Sequence, residues 1–454
     1  MRRTVSVILT AALLVVLLLL IPSQHIVTGV ESGSLFSGRE TIRVWYTDEA
    51  LTNFFSDTAL QYGESQSSYR IEAVKKDPVE FLQQVNTASA ADESFPDLYV
   101  VSNDLLEQAY LSGLAKRIDD PQYFSDTMYF PQTALNAVTY NGKTVAWPLY
   151  YETSALVYNT QYLQDMADAL GISGLDAIPS TVVDIINLAN SYEAPEQVQA
   201  VFKWDVNDIF FNYYFAGGYL NVGGECGDDK SQFDVYNGDV IRCLDVYQQL
   251  NQFFSIDTQT DDYSQIVDDF IDGKIVFTVA TSELPGVIRE RLAERGEDAE
   301  SSFHYGVTTL PDITSELPTR AMSVTYCLAE NGYGEHPDGV RDFMHYLYQH
   351  MENFYDSTGK APVALNVHAS DPHMESFLAS YKESVPLPKM RETSNFWVLL
   401  ENTYAKIWNG ADVGTSLREL YEQSMLQITG EEYTAEELAS PDRIDISAQL
   451  EGMD

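Results

Sequence analysis

The chain has 454 residues, too many for one compact core, so two lobes or two domains are expected. A hydrophobic content of 45% and an aromatic content of 12% point to a globular fold and away from disorder. The formal net charge of −42, from 26 Lys+Arg against 68 Asp+Glu, argues against a nucleic-acid partner, because phosphates would be repelled.

Arg2 and Arg3 precede an uncharged apolar run, residues 5–21, that ends at Pro22. Residues 1–24 therefore read as a signal peptide or an N-terminal membrane anchor. Val27-Thr28-Gly29 is a poor cleavage site, which favours anchoring in the membrane through the apolar segment. Either way the remainder lies outside the cytoplasm, at the cell surface or secreted. Residues 25–40 read as a linker.

Residues 41–46, TIRVWY, predict a strand, and Thr47 to Ala50 open an amphipathic helix. Further strands are expected at 69–74 and 96–101, with a helix over 78–91 between them. Asn103-Asp104 is placed to cap the next helix. Alternating strand and helix predict a parallel, right-handed α/β lobe. Ligands of such sheets meet the loops at the carboxyl ends of the strands, here 47–49 and 102–104.

Asn141-Gly142 signals a tight hairpin. Two strands, 144–149 and 155–158, then flank an aromatic segment carrying Glu152. This is either a hairpin over a core or a crossing between two lobes, with Tyr150, Tyr151 and Glu152 facing a cleft. Helices are expected at 161–169, after Pro179-Ser180-Thr181, at 207–214 and at 240–254. A strand at 275–280 follows Asp272-Gly273-Lys274. Residues 305–311 look like a return crossing, and 376–428 read as mostly helical.

Cys226 and Cys243 are close in sequence and are expected to bridge outside the cell; the alternative is that all three cysteines are buried thiols. No Cys/His spacing suggests zinc. No cofactor loop or catalytic motif occurs, so neither a cofactor nor an enzyme activity is expected.

The stretch NGKTVAWPLYYETSALVYN closely resembles the crossover of the extracellular solute-binding proteins that serve ABC importers, of the maltose/maltodextrin-binding type. The resemblance continues in Val44-Trp45, Pro96-Asp97, YLSGLAKRID, Phe270-x-x-Gly273-Lys274, Tyr305-Gly306-Val307 with Leu310-Pro311, and Phe396-Trp397. The segment from Cys226 to Cys243 does not map onto that pattern in detail. The resemblance implies a two-lobed periplasmic-binding-protein-like α/β fold with discontinuous lobes and a hinge. Lobe one is expected at 41–150 plus 306–355, lobe two at 151–305 plus 356–430, and a C-terminal tail at 431–454.

It further implies a solute-binding protein that captures a neutral sugar or oligosaccharide and delivers it to ABC permease subunits. The alternative is an anchored carbohydrate sensor or adhesion module. The implied ligand-binding residues are Asp48, Glu49, Asn103, Asp104, Tyr151, Glu152, Asn207, Asp208, Glu283 and Trp397. Carboxylates and amides suit sugar hydroxyls, and an indole suits the C–H face of a pyranose.

Overall fold

The computed structural model describes residues 39–449, apart from 66–67, 92–93, 255, 259, 297–302 and 440. The expected signal or anchor at 5–21 lies outside the described residues. Among the described residues no helix is long and apolar enough to cross a membrane.

The strands, in chain order, are β1 (Glu40–Tyr46), β2 (Tyr69–Lys75), β3 (Leu98–Ser102), β4 (Thr139–Tyr140), β5 (Lys143–Thr144), β6 (Trp147–Asn159), β7 (Ala200–Phe202), β8 (Asn221–Val222), β9 (Phe233–Asp234), β10 (Ile275–Thr281), β11 (Tyr305–Thr308), β12 (Met322–Glu330), β13 (Ala361–Pro362) and β14 (Val385–Pro386). The main sheet runs β2-β1-β3-β12-β6-β10-β7. Strand β1 pairs in parallel with both β2 and β3, as alternation with helices requires.

The two strands expected around Tyr150–Glu152 are one continuous strand. The first half of β6 pairs with β12, and Ser154 to Tyr158 pair with β10. One strand thus belongs to both halves of the sheet. Its register slips opposite Tyr326 and Cys327, where Pro148 and Tyr150 flank an extra Leu149. A proline cannot donate to a ladder, so a bulge is the local solution. The Asn141-Gly142 hairpin forms as expected, with φ of 47° and 69°.

Strand β11 pairs with Leu156 to Asn159, in the second half of the sheet. Ala361 and Pro362 pair with Tyr151 and Tyr150, in the first. Helices cover the sheet. Leu51–Ser65 buries Leu51, Phe54 and Phe55. Val182–Ser191 begins with a capping box between Thr181 and Asp184. The aromatic-rich region breaks into two short helices, Ile209–Asn212 and Tyr214–Gly217.

The C-terminal segment is anchored. Ile446 is fully buried, and the Gln249 side chain bonds Ile444 O at 2.7 Å and Ile446 N at 3.2 Å. The expected Cys226–Cys243 bridge is not formed: both are free thiols, as is Cys327. Cys243 is buried on helix Gly238–Leu250, while a glycine-rich turn carries Cys226 against Pro388 and Lys389.

Candidate functional site

Four charged side chains meet where the two halves of the sheet adjoin. Asp48 follows β1; one of its oxygens accepts from Ala50 N at 2.9 Å, fixing the start of helix Leu51–Ser65. Its other oxygen lies 3.0 Å from Lys360 Nζ. The same ammonium pairs with Glu283, which follows β10. Glu152, on β6, is the fourth member. Burial first, then the charge of Glu283, push its carboxyl up to about 7, and Lys360 offsets only part of this. Lys360 is held above the usual lysine value. Burial alone would lower it, but its bonds to Glu283 and Asp48 outweigh that. One cation thus serves three carboxyl groups.

The sheet supplies an aromatic floor. Tyr150 stacks on Tyr326 at 4.5 Å and 11°, and Lys360 Nζ stands 5.8 Å over the Tyr150 ring. Strand periodicity puts Tyr150 and Glu152 on one face and Tyr151 on the other. Tyr151 therefore does not face the cleft. Tyr150 and Tyr151 are both 2% exposed, but Tyr151 stacks on Tyr381 at 4.1 Å and 11°, on the opposite face from Glu152.

A cavity of about 540 Å³ brings together two of the expected residues, Asp104 and Trp397, with Gln108, Arg391 and Glu392. Asp104 Oδ1 and Glu392 Oε2 are buried without a hydrogen-bond partner. Burial raises the Asp104 carboxyl, against the Ser102 hydroxyl and local amides that lower it. Trp397 is half-buried and packs 5.9 Å from Tyr213 and 5.2 Å from Phe396. Tyr326 links the two regions. It pairs with Ser102 on one side and Tyr150 on the other. After burial, Glu152 and, more weakly, Asp104 help to keep its phenol protonated.

The remaining expected residues hold backbone or surface. Glu49 pairs with Lys75. Asn103 is fully buried; it donates to Leu387 O at 2.6 Å and accepts from Thr325 N at 2.9 Å, so it stitches β12 to the strand-like crossing beside it and caps no helix. Asn207 donates to Thr258 O at 3.0 Å. Asp208 caps helix Ile209–Asn212 through Phe210 N at 2.8 Å. Neither Asn207 nor Asp208 lines the Asp104–Trp397 cavity.

Sequence reasoning missed Lys360, Tyr326 and Arg391. Lys360 follows Gly359, which ends helix Phe354–Thr358 at φ 69°; a Gly-Lys step after a short helix carries no functional signal by itself.

A family profile described as bacterial extracellular solute-binding protein matches residues 58–376. No curated protein matches. Among solved structures, an extracellular solute-binding protein from Staphylococcus aureus in complex with maltose is 21% identical with a TM-score of 0.70, covering 86% of this chain and 97% of that one. A cyclo/maltodextrin-binding protein complexed with maltotetraose is 17% identical with a TM-score of 0.72, covering 87% and 99%. The maltose-binding periplasmic protein MalE from Listeria monocytogenes, in complex with maltose, is 19% identical with a TM-score of 0.68, covering 87% and 99%. These likenesses show the two-lobed α/β fold. With the profile spanning most of the chain, they identify it as a member of the bacterial extracellular solute-binding protein family.

Proposed function

We propose that the protein captures a neutral sugar or oligosaccharide between its lobes and delivers it to ABC permease subunits. The observation that carries this reading is the pairing of Asp104, with an unpartnered buried oxygen, and Trp397 in one cavity. A buried acceptor lacking a partner is costly, and a sugar hydroxyl would satisfy it. Trp397 offers the apolar plate that a pyranose face needs. Glu152, Glu283 and Asp48 extend the row of acceptors past Tyr326. Two of the similar structures are complexes with maltose and one with maltotetraose, which supports the same ligand class.

The lobes in this reading meet at three crossings: within β6, between β11 and β12, and after β14. Lobe one carries β1 to β3, β12 and β13; lobe two carries β7, β10 and β11. The crossings after Thr308 and after Pro386 replace the changeovers first expected at 306 and 356.

The family and its structural neighbours are binding proteins. Glu283 stands near enough that its charge helps to raise the Glu152 carboxyl. Family membership puts the folded body outside the cytoplasm, and we propose that residues 5–21 anchor it to the membrane. Isothermal titration against maltose, maltotetraose and unrelated oligosaccharides tests the ligand class. Saturable binding to one of these sugars is expected. Binding of an amino acid or polyamine, with none of a sugar, would overturn it.

A further inference from the structure

The segment that does not map onto the family pattern in detail makes contacts that bear on the cavity wall. Residues 223–230 lie between β8 and β9 and reach across to the β4–β5 hairpin. Asp228 Oδ2 accepts from Asn141 N at 2.6 Å. Gly227, at φ 64°, lies so close to the 388–394 segment that a Cβ there would sit 2.6 Å from Pro388 Cα. Gly227 O accepts from Lys389 N at 2.7 Å. Lys230 pairs with Glu392 at 2.6 Å. The Lys389 side chain is 1% exposed; its Nζ donates to Asn136 O at 3.0 Å, at the end of helix Gln132–Val138, and also to Cys226 O. The same short stretch, with Pro388, Met390, Arg391, Glu392 and Thr393, lines the Asp104–Trp397 cavity.

We propose that Lys389 is a positioning residue for that cavity: its buried ammonium ties residues 223–230 and helix Gln132–Val138 to the 388–394 segment and so fixes the wall that meets the sugar. The proposal rests on the sugar reading given above. A buried ammonium is costly unless its protons are bonded, and here two carbonyls from different parts of the chain supply the bonds. Burial pushes this ammonium down to about 8, against the attraction of Cys226 and Asp228 on the loop, Cys327 on β12 and Asp104 after β3. Glu107 accepts from Arg391 N at 2.6 Å and, with the Lys230–Glu392 pair, completes the charged groups around the segment. A neutral amine keeps two donors for the two carbonyls but loses the charge that shortens and strengthens them. Alkaline pH therefore loosens the clamp without breaking it.

The test uses the full chain, with Lys389→Met and, as a variant that leaves the buried amine in place, Asp228→Ala. Amide hydrogen exchange is followed by mass spectrometry without ligand, and maltotetraose is titrated from pH 6.5 to 9.5. Faster exchange confined to residues 136–141, 223–230 and 388–394 is expected in both variants, with affinity down about tenfold in Lys389→Met. Wild-type affinity is expected to fall several-fold above pH 7.5, and Lys389→Met to lack that fall; the titration of Glu152 remains in both. Uniformly faster exchange, or local loosening with unchanged affinity and pH profile, overturns the proposal. If wild type binds neither maltotetraose nor any other sugar of the titration panel, the sugar reading fails and exchange alone decides: confinement to the three segments sustains the clamp, and its absence overturns it.

Discussion

Glu152 illustrates how a residue proposed to bind ligand is poised at a cost in stability. Its carboxyl is raised from 4.5 to about 7, chiefly by burial. The folded state therefore holds the proton more tightly than the unfolded state. Stability is fully present below the unfolded value and is lost as pH rises through the folded one. The loss at pH 8 is on the order of 3 kcal/mol. Glu152→Gln removes it, so the variant is expected to melt higher than wild type at pH 8 and to show no such gain at pH 4. Thermal melts at both pH values check this; an equal difference at the two pH values would contradict the electrostatic account. Trp397→Ala tests the other end of the site. Loss of a stacked aromatic is expected to weaken sugar binding by roughly 1–3 kcal/mol, or one to two decades in Kd. Titration calorimetry reads the affinity, and a large drop in the unliganded melting temperature would assign Trp397 to the core.

At the scale of elements, hydrophobic periodicity and turn chemistry carried most of the fold. The strands β1, β2, β3 and β10 and the Asn141-Gly142 turn stand where pattern puts them, since each is written in neighbouring residues. Long-range pairing is not written locally. Nothing around Tyr150 says that β6 continues unbroken into the second half of the sheet, because β12 and β10, far along the chain, decide it. The same limit separates Tyr151 from Glu152: alternation puts them on opposite faces, but only the docking of helix Met374–Glu383 shows which face is core. Asn103 looks like a helix cap in sequence, yet its amide serves Leu387 and Thr325, more than 200 residues away. Tyr151→Ala is accordingly expected to destabilise the fold by about 3–5 kcal/mol, as loss of a buried aromatic does, and to do so equally with and without sugar. Denaturant unfolding measures it. The cysteines carry a further prediction at this scale. A thiol count on the denatured, unreduced protein is expected to give three, since Cys226 is turned toward Lys389 and Cys243 is sealed in a helix face.

Over the whole molecule, Lys360 is a contact through which the halves communicate electrostatically. It joins Asp48, beyond β1, to Glu283, beyond β10, with 18% of its side chain exposed. In the proposed lobe division those acids belong to different lobes, so the ammonium is a latch across the cleft mouth. Without it, Asp48, Glu152 and Glu283 repel one another in a partly buried setting where screening by salt is weak. Lys360→Met is therefore expected to shift the unliganded protein toward an open form, with a larger radius of gyration by small-angle scattering at pH 8. Glu152, at about 7 with Lys360 beside it, is pushed higher still without that charge; lowering the pH to 5 protonates it fully and is expected to reverse much of the expansion. Sugar affinity in the variant is expected to fall at pH 8 and to recover toward pH 5, because closure must first overcome the same repulsion. A radius of gyration identical to wild type at both pH values would show that the Lys360 bridge does not hold the lobes together.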